Sequence, residues 1–474
     1  MKNERPSLFL SLLPLAALIA LLTLNVTVFG DDSLSFSNQI ALLMAAGIAG
    51  LVGRFKKVGF LDLMSGVNEN ISQAVPALLV LLLIGALAGS WLLSGVVPAM
   101  IFYGLKIIHP EWFLVSACII CAIVSIATGS SWGTIATVGI ALLGIGKAMG
   151  YGEGMIAGAI ISGAYFGDKM SPLSDTTNLA PAVAGTDLIS HIKYMAITTI
   201  PSIVITMVIF TIIGFFHTPS SNNVNIHSLN ESLSSIFNLS PILFLVPISV
   251  VLLIVKRIPA APALGIGALL GMLFAFIFQF PLIESLSEGS GFAATYAIIF
   301  QAFGTDLSIS TSDPILSDLL STGGMKGMMN TVWLIVCAMT FGGVMEKSGS
   351  LGTITNALMK LATGRTSLIG TTALSSIFMN LTAGDQYLAI VVPGKMYQKA
   401  YKDHNLDAVN LSRTLEDAGT VTSVLVPWNT CGATQAGVLG VATAIYWPFC
   451  FFCLISPVMT MLVAAYNYRI KTRK

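Results

Sequence analysis

The stretch "GDKMSPLSDTTNLAP", residues 167–181, decides how this chain is read. It holds two aspartates, a lysine, proline and a run of hydroxyl and amide side chains, yet apolar segments flank it on both sides. Pro172 removes a helix hydrogen bond and disfavours helix at Ser171. The helix entering from "EGMIAGAIISGAYFG" is therefore expected to break around 168–172 and to resume after Asn178. In hydrocarbon every backbone N–H and C=O needs a partner, so irregular chain survives at membrane depth only inside protein or beside water.

The flanks are built for lipid. Of 474 residues, 55% are hydrophobic and 9% charged, with a mean hydropathy of +0.85. A soluble domain carries about 25% charged residues. Apolar runs of spanning length recur along the whole chain, which a single buried helix cannot explain. The expected fold class is an all-α polytopic membrane protein of about ten transmembrane helices plus two re-entrant hairpins. Its partner is then the lipid bilayer; a net charge of +1 without a basic block gives no reason to expect nucleic acid. The six cysteines, including the pairs Cys118/Cys121 and Cys450/Cys453, sit in apolar text without acidic or His neighbours and read as ordinary membrane-helix cysteines. The N-terminal run after Lys2 and Arg5 is too long for a signal peptide's apolar core and reads as an uncleaved first helix.

Lys and Arg set the orientation. Lys2 and Arg5, then Arg54, Lys56 and Lys57, then Lys256 and Arg257, and finally Arg469, Lys471, Arg473 and Lys474 mark the inside, so both termini are expected in the cytoplasm. Residues 217–239 and 282–325 contain neither Lys nor Arg and read as outside loops. Internal repeats then appear. "GSWLLSG" (89–95) falls on "GVMEKSG" (343–349) at an offset of 254, and "TGSSWGTIATV" (128–138) falls on "TAGDQYLAIVV" (382–392) at the same offset. "SPLSDTTNLA" (171–180) falls on "VPWNTCGATQ" (426–435) one residue further on. The segment near 76–98 leaves from the inside while its partner near 328–346 runs inward, so the halves form an inverted repeat. Inverted repeats with broken helices at matching positions are a signature of secondary transporters, whose sites lie where the repeats meet. The expected organisation is N-terminal scaffold helices (1–70), a first repeat (71–216; hairpin near 112–147, broken helix 153–185), linking loops and scaffold helices (217–325), and a second repeat (326–474; hairpin near 366–395, broken helix 412–440).

The polar stretches supply candidate ligands. Asp168 and Asp175 offer charge; Ser171, Ser174, Thr176, Thr177 and Asn178 offer neutral oxygens. Hard oxygens with one or two carboxylates suit Na⁺ or a proton, and the Na⁺ position expected is Asp175, Thr176 and Asn178. A polar loop outside the membrane has the same composition. Against it stand the glycines 150, 154 and 158, then 163 and 167, a close-packing surface, and the matching recipe at 426–435 followed by Gly432, Ala436 and Gly440. Ser130 and Ser131 with Thr128 face Thr382, Asp385 and Gln386 as hairpin tips, while Asn429 and Thr430 sit at the second break. Asp385 in apolar text is expensive unless functional. Glu416 and Asp417 read either as the cap of a helix start or as an acidic entrance or second proton site. Lys169 is either a salt-bridge partner or an outward charge. All five His fall near expected segment ends, so a His proton relay is not expected; nor is an intramembrane enzyme, since no H-E-x-x-H occurs.

"GDKMSPLSDTTNLAPAVAGTDLISHI", with "TGSSWGT" upstream, resembles the NhaC family of sodium/proton antiporters, part of the wider ion transporter superfamily. The resemblance covers essentially the whole chain. It implies scaffold and mobile transport domains, paired re-entrant hairpins, a midplane site, a homodimer in a bacterial cell membrane and elevator-type motion. It implies ion ligands at Ser130, Ser131, Thr176, Asn178, Asn429 and Thr430. The expected activity is Na⁺/H⁺ exchange, with Na⁺ and protons as substrates, no cofactor, and competition for shared buried carboxylates at Asp168, Asp175 and Asp385. The family also contains malate/lactate exchangers, so an organic-anion exchanger coupled to Na⁺ or H⁺ is the alternative. A dicarboxylate needs positive partners, and within the core only Lys169 and Lys147 could serve.

Overall fold

A computed structural model describes residues 6–29, 36–216, 226–287, 291–311 and 314–473. Lys2, Arg5, Glu288, Asp313 and Lys474, and part of each expected outside loop, lie outside the described residues. Described secondary structure is helical apart from a two-stranded ribbon, Leu307–Ser308 with Ser321–Thr322, and an isolated bridge. Among the described residues, eight helices are long and apolar enough to cross a membrane, or up to ten if each of two sharply bent pairs is one span. The protein is an all-α polytopic membrane protein. Its lipid-facing surface is apolar: Phe9, Phe55, Leu61 and Phe216 are each more than 70% exposed.

The repeat is visible element by element. Phe60–Leu93 corresponds to Met329–Lys347, and each is followed by a glycine in the left-handed region, Gly95 and Gly349, before a shorter helix. The hairpins Phe113–Thr128 with Ser131–Ala148, and Arg365–Thr382 with Gln386–Asp403, correspond in turn. So do the helices after the breaks, Asp175–Ala184 and Thr430–Leu439. Phe60–Leu93 and Met329–Lys347 pack against one another in opposite directions. A Cβ on Gly66 would meet the Gly343 carbonyl oxygen at 2.6 Å, and one on Gly85 would meet that of Gly324 at 2.4 Å. Antiparallel equivalents are what an inversion requires.

The glycine face of Glu153–Met170 does pack closely. A Cβ at Gly163 would stand 2.0 Å from the Cys118 carbonyl oxygen, and one at Gly158 would stand 2.4 Å from Phe449. This presses Glu153–Met170 onto the first hairpin and onto the last helices, fixing where its polar end points. The second glycine stripe has another purpose. Gly432 lies against its own break, where a Cβ would stand 2.0 Å from the Val426 oxygen, and Gly440 terminates the helix in the left-handed conformation, where a Cβ would meet nothing.

Both helices break as expected, with shifted edges. The first ends at Met170 and resumes at Asp175, not after Asn178, because the Ser174 hydroxyl caps the new helix by accepting from Thr177 N–H at 3.4 Å. The second runs Ala408–Leu415, widens into a π-turn over Glu416–Thr420, and restarts at Thr430 under the Asn429 cap. Glu416 and Asp417 therefore end a helical segment and do not open one.

Candidate ion-binding cavity

Each hairpin turns at a glycine in the left-handed region, which glycine adopts without strain, Gly129 at φ +69° and Gly384 at φ +70°. The next residue starts the second arm. Ser130 accepts from Gly133 N–H at 3.0 Å; Asp385 Oδ1 accepts from Tyr387 and Leu388 N–H at 2.8 and 3.0 Å. The tips rest on the breaks. A Cβ on Gly129 would lie 2.6 Å from that of Leu173, and Thr430 N–H donates to the Gly384 carbonyl at 2.8 Å. Four helix starts thus converge, and helix N-termini carry partial positive charge that favours carboxylates.

A cavity of about 590 Å³ lies at this convergence. Ser130, Asp168, Ser174, Asp175, Thr176, Asp385 and Thr430 line it together. Asp168 Oδ2 accepts from the Ser131 backbone N–H at 3.0 Å and its hydroxyl at 2.6 Å, so the first break is clipped to the first hairpin. The Ser174 hydroxyl reaches toward Asp168 and that of Thr430 toward Asp385. Asp168 and Asp385 are 9% and 6% exposed, whereas Asp175 is open to the cavity. No Lys, Arg or His is among the described residues lining it. Three carboxylates and several hydroxyls around one space, without a cationic side chain, can coordinate a hard cation or hold protons.

Other expected residues lie elsewhere. Asn178 is exposed and holds the break together, donating to the Pro172 and Ser174 carbonyls at 2.9 and 2.7 Å. Thr382 is tied back to the Phe378 carbonyl at 2.8 Å. Asn429 is a buried cap that accepts from Cys431 N–H at 3.0 Å and donates to Asn380. Glu416 and Asp417 are wholly buried, which rules out an entrance at the surface. Lys169 points away from the cavity and pairs with Asp417; Lys147 pairs with Glu153 at 2.7 Å and Asp318 at 2.8 Å. Neither lysine serves an anion in the cavity.

Sequence reasoning missed the wall from Gln73 to Val80 and the turn Pro259–Ala261, which complete the cavity. Pro76 inside Phe60–Leu93 was the available signal. It also missed His191, which is buried with Nδ1 2.8 Å from the Ser412 hydroxyl. The first tip, Gly129 to Gly133, spells G-x-S-x-G, the letters of a hydrolase nucleophile elbow. An elbow joins a strand to a helix and needs a His; here two helices meet, Ser131 donates to Asp168, and the described lining holds no His.

The profile of the Na⁺/H⁺ antiporter family matches residues 163–467, which takes in both helix breaks. The chain is 39% identical to the Na(+)/H(+) antiporter NhaC of Alkalihalophilus pseudofirmus, over 97% of this chain and 96% of that one. It is 36% identical to the Malate-2H(+)/Na(+)-lactate antiporter of Bacillus subtilis, over 96% and 94% of the two chains. It is 32% identical to the arginine/ornithine antiporter ArcD of Halobacterium salinarum, over 97% and 92%. Matched by the profile over more than half of its length and by relatives over nearly all of it, the chain belongs to the Na⁺/H⁺ antiporter family.

Proposed function

We propose that the chain exchanges Na⁺ for H⁺ across a bacterial inner membrane by alternating access, with both termini in the cytoplasm. The observation that carries the reading is the cavity itself, which Asp168, Asp175 and Asp385 line without a cationic side chain among its described lining. Na⁺ binding needs ionised carboxylates and protons neutralise them, so the two ions compete for the same groups and exchange follows from one site. Asp175, Thr176 and Thr430 complete the ligand set, and Ser131 orients Asp168. Na⁺ and protons are substrates; no cofactor enters the scheme. Scaffold helices are assigned to residues 1–70 and, with linking outside loops, to 217–325 by the repeat bounds; the homodimer rests on the family resemblance.

A second reading is organic-anion exchange. A cavity of about 590 Å³ has more room than a lone cation uses, Pro76, Ala77, Leu79 and Val80 form an apolar wall, and one relative is named for malate and lactate. Everted vesicles from a strain without its own antiporters separate the two. With a pre-formed pH gradient read by a dye, NaCl is expected to collapse the gradient in wild type and not in Asp168→Asn. Collapse by potassium malate without sodium, and none by NaCl, reassigns the cavity to an organic anion.

A further inference from the structure

A second group of ionisable residues lies apart from the cavity, and ion exchange at the cavity uses none of it. Lys169, His191, Arg413, Glu416 and Asp417 are all completely buried. Asp417 is fully engaged: Lys169 and Ser456 bond one oxygen, Thr460 the other, and Arg413 Nε stands 3.9 Å away. Glu416 is its opposite. Neither carboxylate oxygen has a hydrogen-bond partner, and it opens the π-turn Glu416–Thr420. Single-turn π geometry inside a helix is rare and recurs at functional sites.

An ionised carboxylate without partners in a dry interior is too costly to persist, so Glu416 must be able to take up a proton. The groups facing it make the ionised state tolerable as well. On its own segment stand Arg413, whose guanidinium lies 4.8 Å over the Tyr194 ring, then Asp417 and the Thr420 hydroxyl, which reaches toward Glu416. Helix Glu153–Met170 brings Lys169 and Asp168 within electrostatic reach. Leu188–Phe216 brings His191 against Ser412 and within electrostatic reach of Lys169 and Asp417, with an unpartnered Nε2. Arg365–Thr382 brings Ser376 and Asn380; Phe451–Ala465 brings Cys453, Ser456 and Thr460. Gln386–Asp403 adds Tyr397, while its Lys395 and Lys399 are exposed, and the acid of Asp175–Ala184 is Asp175, already in the cavity. Two buried cations against one engaged anion leave room for one more negative charge. Ionised, Glu416 balances them; protonated, it loses the desolvation penalty.

We propose that Glu416 is a proton-binding site separate from the cation cavity, whose proton is counted in the exchange in addition to any displaced there. The inference rests on the exchange reading and deepens it. Asp168 and Lys169 are consecutive, and Thr177 Oγ1 donates to both of their carbonyls at 3.2 and 3.1 Å. The turn that presents Asp168 to the cavity is thus the turn that presents Lys169 to this cluster, and one movement reaches both.

Infrared difference spectra of the purified full-length protein between acid and alkaline pH, with proteoliposome coupling ratios, test it. A protonated-carboxyl band is expected in wild type and in the triple variant Asp168→Asn/Asp175→Asn/Asp385→Asn, which removes the cavity acids, and is lost when Glu416→Gln is added to the triple variant. Glu416→Gln is expected to move one proton fewer per Na⁺ than wild type, with ²²Na⁺ binding unchanged and Glu416→Asp restoring the ratio. A wild-type coupling ratio in Glu416→Gln, or no such band left in the triple variant, overturns the proposal. Retention of Na⁺-dependent exchange by Asp168→Asn sinks the cavity reading and leaves the Glu416 band in place, so the two failures are distinguishable.

Discussion

Lys169 and Asp417 stand 248 positions apart in the chain and form a wholly buried ion pair between the two halves. Removing one partner of such a pair leaves an uncompensated charge and costs about 3–5 kcal/mol. The structure orders the two single changes within that range. Lys169→Met strands Asp417, which keeps Thr460, Ser456 and the Arg413 guanidinium 3.9 Å away, so its cost belongs near 3 kcal/mol. Asp417→Leu strands two cations, Lys169 and Arg413, so its cost belongs near 5 kcal/mol. The double variant strands Arg413 alone and is expected to be more stable than the sum of the singles by at least about 2 kcal/mol. Unfolding of the purified protein by SDS in mixed micelles, read by tryptophan fluorescence, gives the four free energies of the cycle. Additive single costs, or a Lys169→Met cost below about 1 kcal/mol, would refute the reasoning.

Three further outcomes follow from the same geometry. Gly163→Val drives a side chain into the Cys118 carbonyl, only 2.0 Å from a Cβ, and is expected to cost about 1–3 kcal/mol or more in the same assay; wild-type stability contradicts the packing. Asn178→Ala is expected to keep Na⁺-dependent exchange and lose about 1 kcal/mol of stability with its two hydrogen bonds to the break. Loss of Na⁺ dependence at full stability would instead make Asn178 a ligand. Protons occupy the cavity carboxylates as pH falls, so each unit of acidification is expected to raise the apparent Na⁺ constant up to roughly tenfold, with saturating Na⁺ restoring the rate. A maximal rate that falls while the Na⁺ constant stays fixed places the proton elsewhere.

Much of the architecture was legible because the bilayer restricts the options. Apolar runs gave the spans, Pro172 and Pro427 flagged the breaks, and Gly95 with Gly349 fixed the repeat offset. The tips at Ser130 and Asp385 followed from that offset, and Ser and Asp are side chains suited to cap a helix start. The Lys169–Asp417 pair was not legible. Which side of its helix Lys169 occupies depends on where the helix ends, and sequence places helix ends only to within a few residues. Glu416 and Asp417 resembled an N-terminal cap because acids favour helix starts. The π-turn that widens the helix there leaves no mark in residue type. Asn178 resembled a ligand because an amide that holds a turn and one that holds an ion look alike in letters.

Direct ²²Na⁺ binding to the purified protein, measured across pH for wild type, Asp168→Asn and Asp385→Asn, tests the central claim most directly. Shared carboxylates predict binding that weakens as pH falls in wild type and is lost in both variants. Na⁺ affinity that ignores pH, or that survives in both variants, contradicts a cation site built on Asp168 and Asp385.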